Sequence, residues 1–69
     1  MELRDILLDA LAEKYRGEKA YHKANIEVYL CNPVGIGEHP DVLEAIDSEL
    51  SKFVEAEEKL QALIGHWEF

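Results

Sequence analysis

Apolar and small side chains recur along this chain at alternating steps of four and three. In the first half they are Leu3, Leu7, Ala10, Lys14, Gly17, Tyr21, Ala24, Val28 and Cys31, with Lys14 the one charged member. In the second half they are Leu43, Ile46, Leu50, Phe53, Glu57, Leu60, Ile64 and Trp67, with Glu57 the one charged member. This spacing marks a helix that packs along another helix. It predicts a first helix over about residues 2–31 and a second over about 40–66. Ile26 to Leu30 alternates and favours a strand by propensity. A helix is predicted there all the same, because the seam runs through it unbroken and no second strand exists to pair with it.

Both prolines and two of the four glycines fall between residues 32 and 40. Pro33 pushes the residue before it out of the helical region, so the first helix must stop there. Gly35 and Gly37 permit positive φ in a compact turn, over which Val34 and Ile36 can fold back. His39 suits the N-cap of the second helix, and Pro40 its first turn, where a missing N–H costs nothing. The expectation is one domain over 1–69: an all-α, antiparallel two-helix hairpin of coiled-coil type.

Folding the chain back at this turn pairs the two seams layer by layer. Val28 meets Leu43, Tyr21 meets Leu50, Gly17 meets Phe53, Ala10 meets Leu60 and Leu7 meets Ile64. Lys14 and Glu57 fall in one layer, where they would set register more than add stability. Apolar side chains are left over beside both seams, with Leu8, Leu11, Tyr15, Tyr29, Val54 and Leu63 the candidate interaction residues. Two helices cannot enclose both sides of each other. A homodimer, giving a four-helix bundle, is the economical cover.

Size and charge sharpen this. A chain of 69 residues buries a modest core and needs a staple, a metal or a partner. Cys31 is the lone cysteine, so no disulfide can form within the chain. The formal net charge is −8, and it is lopsided: residues 1–35 carry five Lys/Arg against six Asp/Glu, residues 36–69 two against nine. Direct nucleic-acid binding is disfavoured, since such a chain repels phosphate. A protein partner with a basic or apolar surface is favoured. The start of the chain reads as a charged first turn and not as a targeting segment, and no stretch approaches a membrane span. A cytoplasmic setting fits a single free thiol.

Candidate chemistry is sparse. Gly35-Ile36-Gly37-Glu38 lacks the Lys-Ser/Thr of a phosphate-binding loop, and acids crowd the place an anion would take. His22, Cys31, His39 and His66 are nowhere three or four apart, so a metal site would need two chains. The row Asp41, Glu44 and Asp47 or Ser48, then Glu55 and Glu58, lies outside the seam without the Glu-x-x-His of di-iron bundles. Neither a cofactor nor a catalytic constellation is expected.

Asn25 to Leu30, the run Asn32-Pro33-Val34-Gly35-Ile36-Gly37-Glu38-His39-Pro40, and Ala45-Ile46-Asp47 resemble a family of short proteins encoded by tailed bacteriophages. The likeness spans about the central half of the chain. It implies action in the cytoplasm of a bacterial host, and it brings no activity and no site residues. Together these readings point to a small, non-catalytic, oligomeric interaction protein acting on a host or phage protein. The alternative is an acidic mimic that occupies the nucleic-acid site of another protein.

Overall fold

The structure, a computed structural model, describes residues 2–31 and 39–67. Helix α1 runs Leu3–Cys31 and helix α2 runs His39–Trp67, 29 residues each. The turn features expected of Pro33, Val34, Gly35, Ile36 and Gly37, and the capping side chains of His39 and Pro40, lie outside what is described. At 1.5 Å per residue each helix is about 44 Å long. The molecule measures 50 × 17 × 13 Å, so the helices lie side by side and not end to end. The all-α hairpin that the pattern predicts is present. Residues 26–30 are helical, as the continuity of the periodic pattern requires.

The helices meet along stripes different from those expected. On α1 the inward members are Asp5, Leu8, Ala12, Tyr15, Lys19, His22, Ile26 and Tyr29, all buried or half-buried. On α2 they are Val42, Ile46, Glu49, Phe53, Ala56, Leu60 and Leu63. Both stripes keep strict steps of three and four. The tightest packing is in the half away from the turn. There Leu8, Ala12, Leu60 and Leu63 form one cluster with Tyr15 against it, and Ala12 has no exposed surface at all. Ala56 is 2% exposed. Alanine at these places lets the two backbones approach closely.

This corrects the expected seam. Every member predicted for α1, from Leu3 to Cys31, is exposed. On α2 Ile46, Phe53, Glu57 and Leu60 face inward as expected, whereas Leu43, Leu50, Ile64 and Trp67 do not. A Cβ built on Gly17 would meet nothing within 4 Å, so Phe53 does not pack on it. Lys14 lies beside Glu18 at 3.9 Å, and Glu57 pairs with Lys19 at 3.6 Å. The antiparallel register survives: His22 meets Glu49 where Tyr21 was to meet Leu50, one residue along on each strand of the hairpin. What changes is rotation of the helices about their axes. The rotated stripe of α1 holds as many large apolar groups as the expected one, four, and its Lys19 and His22 find polar partners on α2 in Glu57 and Glu49.

Two substitutions separate the inward stripe from the outward one. Ala12→Leu overfills a closed position and should lower stability by about 1–3 kcal/mol. Gly17→Ala fills open space in a helix interior and should raise it by about 1 kcal/mol. Urea unfolding at one fixed chain concentration checks both, and opposite signs are expected.

Candidate functional site

Among the described residues, a hydrogen-bonded polar layer lies inside the hairpin on the turn side of mid-length. Glu49 Oε1 accepts a hydrogen bond from Asn25 Nδ2 at 2.9 Å and lies 2.7 Å from His22 Nδ1. A carboxylate can only accept, so the ring nitrogen facing it carries the proton. The His22 and Glu49 side chains are 16% and 12% exposed. Lys52 Nζ stands 3.8 Å from the other Glu49 oxygen. The Asn25 hydrogen bond, then the one from His22, hold the Glu49 carboxyl below its ordinary value. The charges of His22 and Lys52 add to this, and partial burial opposes it. No buried side-chain N or O among the described residues lacks a partner. The layer contains no nucleophile aimed at open space. What it can do is set register, since a slipped or rotated helix would leave three polar groups unpaired.

Beside the layer, Arg16, Lys19, Ala20, Lys23 and Phe53 line an open groove of about 300 Å³. Lys19 Nζ sits 5.8 Å from the centre of the Phe53 ring, within cation–π range. Three of the seven basic residues of an acidic chain thus share one flank of α1. The sequence signal was present in their spacing of three and four, the step that puts residues on one helix face.

The six candidate interaction residues divide. Leu8 and Leu63 are each 9% exposed and belong to the core cluster, and Tyr15 packs against it. Tyr29 is half-buried in the inward stripe. These four sit between the two helices of the hairpin, not on an outer face. Leu11 and Val54 remain outward at 39% exposure each. The outward apolar positions missed as such are the members of the expected seam: Leu3, Leu7, Tyr21 and Val28 on α1, and Leu43, Leu50, Ile64 and Trp67 on α2. The carboxylates of Asp41, Glu44, Glu55 and Glu58 lie on the exposed side of α2.

Among the described residues, no three His, Cys, Asp or Glu side chains converge as a metal ion would require. Cys31 is a free, exposed thiol. No described helix is long and apolar enough to cross a membrane. No family model, curated protein or solved structure matches the chain.

Glu49→Ala should cost about 1–3 kcal/mol, because Asn25 and His22 lose their acceptor. The acid dependence has a fixed sign. A carboxyl held low in the folded state stabilises the fold above its unfolded value of 4.5, and that contribution fades as pH falls through the lower folded value. As pH falls below about 5 the stability gap between the native chain and Glu49→Gln should therefore narrow. Urea midpoints measured across that range would show it, and a gap that does not change would contradict the assignment.

Proposed function

We propose that the chain is a small, non-catalytic interaction protein that works as a homodimer of hairpins, bringing four helices together, and engages another protein in that form. The observation that carries this is the apolar surface left outside. Among the described residues, twelve large hydrophobic side chains are at least 39% exposed, whereas the buried core holds five residues. A compact monomer of 7.9 kDa would expose about 4,400 Å². The chain exposes 5162 Å². The excess, about 750 Å², goes with the elongated 50 × 17 × 13 Å shape, which leaves one side of each helix without a neighbour.

The resemblance of the Asn32–Pro40 run to short phage proteins supports a bacterial cytoplasm as the setting and a host or phage protein as the further partner. Mimicry of nucleic acid is supported less well. It calls for carboxylates continuous along one face, whereas Ser51 and its neighbours break the row between Asp41, Glu44, Asp47 and the pair Glu55, Glu58. Lys59 also approaches Glu55 to 3.6 Å.

Sedimentation equilibrium should return about twice the chain mass of 7.9 kDa. Each chain carries −8, so added salt should tighten the dimer by screening like charge. A strictly monomeric chain at about 100 μM, a level at which even weak, micromolar dimers are populated, would overturn the proposal.

A further inference from the structure

We propose that two copies meet through the outward face of α1, antiparallel and related by a two-fold axis near residues 15 and 16. This rests on the reading that the chain self-associates, and goes beyond it by naming the surface and the register. The outward face of α1 carries Leu3, Leu7, Tyr21 and Val28 at 56–69% exposure, spaced by heptads with Ala10, Gly17 and Ala24 between them. It is a full helix-packing stripe with no helix on it.

Three observations select a second copy, and this register, as the cover. The first is shape. Large and small positions alternate so that an antiparallel copy sets Leu7 over Ala24 and Tyr21 over Ala10, with Leu3 against Val28 at the ends. A parallel copy would set large against large and Gly17 against Gly17. The second is the one charged member. In the antiparallel register Lys14 lies opposite Gly17 of the second copy, where there is open space, with Glu18 of that copy next in line. Lys14 already turns towards Glu18 within its own chain at 3.9 Å, and the partner's carboxylate doubles the acceptors within its reach. Sliding by one heptad one way would put Lys14 over Ala24, beside no acid, and leave Leu3 uncovered; sliding the other way would put Lys14 over Ala10 and leave Val28 uncovered. The third is net charge. Contact through α1 joins the nearly neutral halves, whereas the outward face of α2 carries Asp41, Glu44, Glu55 and Glu58, and two such faces repel.

Cysteines placed by register test the geometry apart from the association. In a Cys31→Ser background, one chain carries Leu7→Cys and another Ala24→Cys, and the two are mixed before treatment with a short bis-maleimide. Cross-linked dimer is expected from the mixture and not from either chain alone, because like positions lie at least about 25 Å apart in the antiparallel pair. Cross-linking of Leu7→Cys with itself would overturn the antiparallel arrangement. A dimer by mass with no cross-link in the mixture would overturn this interface and leave the dimer standing. A monomer by mass would remove both. Gly17→Leu adds a second reading, since the open space around Gly17 lets the hairpin keep its helix content. It should weaken self-association at least tenfold while the circular dichroism is unchanged, and an undiminished dimer would overturn the register.

Discussion

A hairpin of two helices has one internal interface, and each helix can bury one stripe in it. Everything else about this molecule follows from which stripe that is. On α1 two heptad stripes compete on nearly opposite sides. One holds Leu8, Tyr15, Ile26 and Tyr29 with polar Lys19 and His22 among them; the other holds Leu3, Leu7, Tyr21 and Val28 with small residues and Lys14 among them. The first goes inside. Both stripes offer four large apolar side chains, so their number does not decide; only the first also brings His22 and Lys19 opposite Glu49 and Glu57.

Polar members decide how that stripe is held. His22, Asn25 and Glu49 satisfy one another, and Lys19 meets Glu57 at 3.6 Å with its ammonium over the Phe53 ring. Any rotation that exposed His22 would also strand Glu49. The apolar cluster lies in one half of the rod and the polar layer nearer the turn. Burial therefore drives the association of the helices, and the polar layer limits it to one rotation and one register. The energetic contribution of such a layer is small, and its contribution to uniqueness is larger.

The losing stripe becomes surface. A rod this thin cannot cover both sides of α1, so Leu3, Leu7, Tyr21 and Val28 face outward in a pattern built for helix packing. Charge then sorts the faces. The carboxylates of α2 keep one side of the molecule wet, and the basic residues Arg16, Lys19 and Lys23 share a flank of α1.

Two helices, their antiparallel order and the approximate register were legible in the sequence. The three-and-four spacing and the two prolines flanking a glycine-rich turn allow little else. The rotation of the helices was not. Taken singly, Lys19 and His22 disqualify the stripe they belong to, whereas Gly17 and Ala24 favour close approach. Only the pairing across the interface shows that Glu57 and Glu49 wait opposite the first two, and that nothing within the chain approaches the glycine. Local sequence thus determined that each helix would be amphipathic. Which of two faces is buried depends on satisfying polar groups from both helices at once, and that is a property of the folded pair.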